Sequence, residues 1–309
     1  MSSRVNSNYQ SFLAHTSPLV PVHYHTQPSG ASSFSTVASG AEAKEVRRPH
    51  IVLGDIWSAY EEFSCYGNEV PLSLEGIDED VTSYYAPTLS AMQIFTIKPF
   101  ADDGGSSSRS SSIGTNDSSS YLYFQYNELE LPHERHPLTA KIEQLAEQHS
   151  GLHSLTSSDL SPDSWLSIAW YPIYQIPSVK SMKKELSAAF LTYHKLKPDF
   201  PETFVEDDKK VKEKGKSSEE EVVFPPFGAM TYKAVGNVWN MPWTSDHDDR
   251  DRHEKAASSW VEKLGFAHSD YWFFFRCKFY CYPQSLSSQM VEIGYNFCDS
   301  QNILLLMMK

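Results

Sequence analysis

The sequence predicts an α+β fold: a single domain with a mainly antiparallel sheet, packed helices and long disordered loops. Three observations predict it. Apolar residues make up 40% of the 309 residues and aromatic residues 13%, enough for one sizeable core. Strand-like runs follow one another without the regular strand–helix alternation of a parallel sheet. Three low-complexity stretches cannot bury enough apolar surface to offset the entropy of ordering. These are the Ser/Ala/Gly-rich residues 27–49, the serine-rich residues 101–120 and the doubly charged residues 199–223. Loop insertions of this length add little closure entropy, so one domain tolerates all three.

The elements follow in order. Residues 1–26 form an N-terminal segment expected to pack on the domain, with a short helix over Asn8–His15 stopped before Pro18. The domain proper is placed at residues 50–275. Ile56, Trp57, Tyr60 and Phe63 fall near helical spacing and predict one helix over Leu53–Phe63, with Asp55 in its first turn. "EVPLSLE" at 69–75 reads as an edge strand because Pro71 interrupts it. "LSAMQIFTI" at 89–97 alternates as a strand. "YLYFQYNE" at 121–128 is aromatic on both faces and predicts a strand covered on both sides.

"PLTAKIEQLAEQ" at 137–148 carries Leu138, Ile142, Leu145 and Ala146 on one helical face behind a first-turn proline. Asp159 and Asp163 flank Pro162 as turn or cap residues. "ELSAAFLTYHKL" at 185–196 balances helix-forming alanines against Phe190, Thr192 and Tyr193, and is read as a strand. "FGAMTYKAVG" at 227–236 is a further strand. "KAASSWVEKLGF" at 255–266 is a helix stopped by Gly265.

"SIAWYPIYQIP" at 167–177 poses a conflict, because it is strand-like yet carries Pro172 and Pro177. Proline cannot donate to a ladder, so one regular central strand does not fit. The expected resolution is a strand from Trp165 to Tyr171, a bulge or bend at Pro172, and an edge segment to Ile176. Leu166, Ile168 and Trp170 then form the better core face. Trp170, Tyr171 and Tyr174 are a candidate aromatic binding rim.

A formal charge of −13 repels phosphate backbones and anionic bilayers, so neither general nucleic-acid binding nor membrane association is expected. Four cysteines in a chain of this length do not make a disulfide scaffold. With no apolar leader and no 18-residue apolar run, an intracellular protein, nuclear or cytoplasmic, is expected.

The chemical motifs are weak. Cys277-x3-Cys281 with Cys298 and His268 lacks a second short-spaced ligand pair. His133 and His136 read as loop residues. "SDHDDRDRHE" at 245–254 lacks the glycine and terminal glutamate of a calcium loop, and reads as a solvated linker. No G-x-S-x-G, P-loop or G-x-G-x-x-G is present, so no catalytic residue, metal ligand or cofactor is assigned. Ser217 and Ser218 each stand three residues before a glutamate and are candidate phosphorylation sites.

Several blocks occur in a familiar order: "GDIWSAYEEFSCYGNEVPL", "VTSYYAPTLSAMQIF", "SDLSPDSWLSIAWYPIYQIP", "AAFLTYHKL" and "FGAMTYKAVGNVW". Together with "SNYQSFLAHTSPLVP" they resemble the plant family catalogued as "domain of unknown function 789", from Asn8 to about Phe274. The resemblance implies a land-plant protein and carries over no reaction, cofactor or catalytic residue. Residues 276–309 match nothing in that pattern and are read as an atypical tail, such as a retained intron or an alternative last exon supplies. The function expected is a non-enzymatic interaction or regulatory module with an unknown protein partner. The alternative is an enzyme of unrecognised type with a site near Tyr171, Tyr174 and His194.

Overall fold

The computed structural model describes residues 7–27, 46–77, 80–99, 120–200, 220–234, 236–239 and 246–281. Helix α1, Asn8–His15, opens on a reciprocal cap in which Ser7 Oγ accepts from Gln10 N–H at 3.0 Å. Its Tyr9 and Phe12 are fully buried. The Asn8 amide locks the helix in place, giving Nδ2–H to the carbonyls of Ser73 and Val238 and accepting from Ser73 N–H.

Strands β1 (Leu19–Pro21), β2 (His23–Gln27) and β3 (Val46–His50) come next, and β2 pairs antiparallel with β3. The helix expected over Leu53–Phe63 is two, α2 (Leu53–Ala59) and α3 (Glu61–Tyr66). The break falls at Tyr60, whose ring is fully buried and whose N–H turns back to Trp57 O at 3.0 Å. Gly67, at φ 79°, ends α3.

Strand β4, Asn68–Leu72, is followed by the longest strand, β5, Val81–Thr96. Strand β6, Tyr121–Asn127, returns along the second half of β5, while β4 lies along its first half. One edge of β5 is therefore shared end to end by two short strands. Only Phe124 of β6 is buried, which corrects the expectation of cover on both sides. Strand β6 pairs with β5 alone, and its remaining rings are half-buried or exposed.

Helices α4 (Leu138–Ala146) and α5 (Gly151–Ser154) lead into β7, Trp165–Ile176. Two 3-10 turns, Lys180–Met182 and Glu185–Ser187, precede β8, Ala189–Lys195. The segment at 185–196 is thus a strand in its apolar half. Strands β9 (Glu221–Val223) and β10 (Gly228–Tyr232) follow, with β9 antiparallel to β1 and β10 to β8. Residues 46–49 and 221–223, placed in loops from composition, are thus paired strands. Val222 and Val223 supply the branched side chains that the charge-rich surroundings of β9 hid.

Helix α6, Asp246–Leu264, ends at Gly265 (φ 59°), and α7 runs over Ser269–Cys281. The stretch read as a solvated linker at 245–254 is, from Asp246 on, the first half of α6. Its carboxylates sit at the positive end of the helix dipole, and its charges pair at helical spacing, Arg252 with Asp249 at 2.9 Å and His247 with Asp251 at 3.4 Å.

The main sheet runs β10-β8-β7-β5-β4, with β6 on β5. It is antiparallel and covered on both faces. One face packs Leu166, Ile168, Trp170 and Phe190 against α1, α2 and α4. The other packs Trp165, Ala169, Leu191 and Tyr193 against α6 and α7. Every residue from Trp165 to Trp170 is buried, so the reading of a single core face is corrected: both faces are core.

The proline conflict resolves through the partners of β7. From Trp165 to Trp170 the strand lies between β5 and β8; beyond Trp170 it pairs with β5 only. Pro172 faces Tyr85, Tyr174 faces Tyr84, and Ile173 is the extra bulged residue between them. Pro172 thus falls on the half of the strand whose second edge carries no ladder among the described residues, and Pro177 stands just past the strand's end.

Trp170→Ala empties a sealed site between Phe12, Tyr60 and Phe63 and is expected to cost about 3–5 kcal/mol in urea unfolding. Tyr174→Ala, on the outer half of the same strand, is expected to cost about 1 kcal/mol, the scale of its stack on Tyr84. Equal losses would contradict the division of β7 into a buried and an outer half.

Candidate functional site

The densest group of polar side chains lies where β5 bulges. Leu89 faces Ile168 and Ala91 faces Ser167, leaving Ser90 as the extra residue. Its carbonyl accepts from Glu128 N–H at 2.8 Å, and its side chain enters the layer between the sheet and α7. There Ser90 Oγ meets Asp270 Oδ2 at 2.6 Å and His268 Nε2 at 2.8 Å. Tyr193 Oη lies 2.9 Å from His268 Nδ1. Arg135 grips both oxygens of Asp270, at 2.7 and 2.8 Å, and its guanidinium lies 5.9 Å from the Tyr171 ring centroid.

Three elements deliver these groups. His268 ends the turn after α6, and Asp270 occupies the first turn of α7, where the dipole favours a carboxylate. Asn127, closing β6, fixes that turn by accepting from Ser269 N–H and donating to Ala267 O. Arg135 comes from the loop before α4.

The proton positions follow from donor counting. A carboxylate only accepts, so Ser90 gives its single hydrogen to Asp270. His268 must then donate from Nε2 to Ser90 Oγ, which leaves Nδ1 to accept from Tyr193. Burial pushes the His268 pKa down to about 4, in keeping with a neutral ring. Burial drives the Tyr193 phenol well above its usual range, in keeping with a donor. Burial alone would lower the Arg135 pKa, but the Asp270 pair outweighs it and holds the guanidinium charged.

A Ser, a His and an Asp in contact invite a comparison with nucleophilic catalysis. That chemistry needs the serine to donate to the histidine and the carboxylate to orient the histidine. Here both relations are reversed: the histidine donates to the serine, and the carboxylate takes the serine proton. Ser90 and His268 have no exposed surface, and the Arg135 and Asp270 side chains only 4% and 7%. A groove of about 600 Å³ lies elsewhere, lined by residues such as Leu13, Leu19, Val223 and Pro225 and by none of this group. The arrangement is a sealed tie between α7, the α4 loop and the sheet.

The sequence-predicted residues do not converge. Trp170, expected on a rim, is fully buried, with its indole N–H on Thr192 Oγ1 at 3.0 Å. Tyr171 is half-buried beside Arg135 on the α7 face. Tyr174 is 43% exposed and stacks on Tyr84 at 4.3 Å. His194 is buried on the opposite face, stacked on Phe224 at 5.0 Å, with Nε2 against Thr192 Oγ1. The ladder sets His194 across from Leu166, five residues and roughly 17 Å of strand from Tyr171. A site built from Tyr171, Tyr174 and His194 is not assembled.

Asp159 caps its turn, accepting from the Thr156 N–H and hydroxyl. Asp163 meets Lys263 at 3.4 Å. His133 and His136 are exposed. Ser217, Ser218 and Cys298 lie outside the described residues, as do the side chains of Cys277 and Cys281. Among the described residues no three His, Cys, Asp or Glu side chains are arranged to hold a metal ion, and no helix is long and apolar enough to cross a membrane.

The outer half of β7 has the opposite character. Ile173, Tyr174 and Ile176 are 53%, 43% and 56% exposed. Ile173 Cδ1 lies so close over Gly67 that a Cβ there would meet it at 2.8 Å, which places Tyr66, 75% exposed, beside the same patch.

Fold and site together define an α+β protein with a sealed polar tie and an exposed apolar strand end, without an assembled catalytic centre among the described residues. The chain belongs to the family described as Protein of unknown function (DUF789), which it matches over residues 7–112 and 97–274. No curated protein and no solved structure matches it.

Sequence reasoning missed Arg135–Asp270 because the partners are 135 residues apart and only folding brings them together. The available signals were an arginine between the two histidines of "HERHP" and an aspartate opening the helix in "HSDYWFF".

Asp270→Asn strands the buried Arg135 charge and is expected to cost about 3–5 kcal/mol in urea unfolding. Arg135→Met with Asp270→Leu removes both charges and is expected to recover most of that loss. A double variant as unstable as the single one would show that packing, not charge, carries the tie.

His194 and His268, pushed down by burial to about 3 and about 4, titrate near 6.5 when unfolded. Between those limits the unfolded chain binds more protons. Stability is therefore fully present above about pH 6.5 and falls with acid, by about 1.4 kcal/mol per pH unit for each ring. His194→Phe is expected to remove one ring's share of that slope in urea titrations from pH 7.5 to 4.5. An unchanged slope would contradict a neutral buried His194.

Proposed function

We propose that the chain is an intracellular plant protein, nuclear or cytoplasmic, that acts as a non-enzymatic interaction module and docks a protein partner on the outer half of β7. The observation that carries this reading is the concentration of Ile173, Tyr174 and Ile176 on a strand segment whose second edge has no ladder partner among the described residues. A strand edge bearing exposed aliphatic and aromatic side chains suits addition of an extended segment, with backbone bonds for affinity and side-chain pockets for selection. The polar group that would otherwise invite a catalytic reading is largely closed to solvent, and its hydroxyl and imidazole protons are taken up within it.

The plant assignment is supported by the resemblance of the sequence blocks, and the intracellular one by the cysteine usage. Phosphorylation at Ser217 and Ser218 would add charge just ahead of β9, close in sequence to Glu220, whose carboxylate takes the Tyr24 hydroxyl. That makes the serine pair a natural point of regulation.

The test is site-directed photo-crosslinking from position 176 in plant cells. One discrete adduct is expected from the wild-type surface, with a loss of at least about tenfold when Ile173→Asp is added, and direct binding of the purified partner in solution. Equal adduct yield with and without Ile173→Asp, in a variant that still unfolds cooperatively, would overturn the docking assignment.

A further inference from the structure

Three imidazoles meet on one face of the β2–β3 ladder. His23 and His25 are two apart on β2, and His50 is the cross-strand partner of His23. The His25 and His50 rings are parallel, 3.8 Å apart and 3° from coplanar, and His23 lies 5.8 Å from His50. His50 is 4% exposed, and its buried Nδ1, near the Arg48 backbone, makes no well-formed hydrogen bond. The rings stack face to face rather than aim their nitrogens at a common point, so the cluster does not form an ion site.

The geometry points to an acid-sensitive clasp: a proton on His50 opens the β2–β3 ladder while the main sheet stays closed. The charged groups around His50 favour this. Its own ladder supplies His23, His25 and Arg48, the last standing across from His25. From α2, Asp55 meets His23 Nε2 at 2.7 Å and so answers charge on that ring. From the turn behind β3, Asp159 acts on His50 only from a distance, its Oδ2 being spent on Thr156. A proton on His50 therefore enters a buried ring stacked on a second imidazole, with no carboxylate in contact among the described residues.

Burial first, then His25, holds the His50 pKa below its usual value. The sign follows: the clasp has its full strength above about pH 6.5 and loses it as pH falls through the lowered value. A ladder of two strands is marginal alone, so it opens before the six-stranded sheet does.

The test is amide hydrogen exchange of the full chain at pH 7.5 and 5.5, corrected for intrinsic rates. The amides that cross the β2–β3 ladder are expected to open severalfold more at pH 5.5, while amides of β5 and β7 change far less. His50→Phe keeps a stacked ring without a titrating proton and is expected to abolish the response. The His50 ring resonances of the wild-type protein provide a second reading that needs no variant: their inflection should fall below that of a free imidazole, where the opening levels off. Unchanged exchange, a response that survives His50→Phe in a folded variant, an inflection elsewhere, or parallel opening of the main sheet would each overturn the clasp.

Discussion

The constraint on which the rest depends is the burial of β7 on both faces from Trp165 to Trp170. A strand enclosed above, below and along both edges leaves no backbone group to water, so its ladders to β5 and β8 must be complete. That requirement orders the molecule. It makes β5 run long enough to serve β7 on one side and two short strands on the other. It also calls for a second layer of helices, since Trp165 and Ala169 need cover as much as Leu166 and Ile168 do. Antiparallel sheets commonly leave one face wet, and this one does so only toward β4, β6 and the outer half of β7.

The polar tie at Ser90 belongs to that second layer. Helix α7 covers the β8 and β10 side of the sheet with aromatic rings, and rings alone do not fix the height at which a helix sits. The Arg135–Asp270 pair and the Ser90–His268–Tyr193 chain do so through direction-dependent bonds. Dry ion pairs are poor sources of net stability compared with apolar replacements, and their better use is to select one arrangement among several. Read this way, the triad-like chemistry is a locating device, and the surface strip on β7 is left as the region whose exposure burial energetics does not explain.

Much of the architecture was legible in the residues, and the failures have local causes. Helix α1 was read to its ends because a following proline stops it, and the structure adds the Ser7 cap at its start. The division of β7 was legible because two prolines cannot both sit within a ladder. The first half of α6 was hidden because its charges look like a solvated run, and only their spacing shows that they pair along a helix. The second core face was hidden because Ser167 interrupts an otherwise apolar alternation. Trp170 was read both as core and as rim, and it is core; sequence alone does not tell which rings a layer of helices will cover. The site failed for a different reason: each of its bonds joins segments far apart in the chain, and no local pattern encodes them.

The anchoring of α1 has a consequence for how the chain is made. Asn8 bonds to the carbonyl of Val238, 230 residues away, and Phe12 stacks on Phe190 at 4.0 Å. Tyr9 and Phe12 thus have no complete home until nearly the whole domain has been synthesised. During that interval they are sticky, unsheltered surface on a nascent chain, the kind of segment that holdase chaperones engage. A bulky fusion placed directly before Ser7 would bear on the seating of this helix rather than on the sheet.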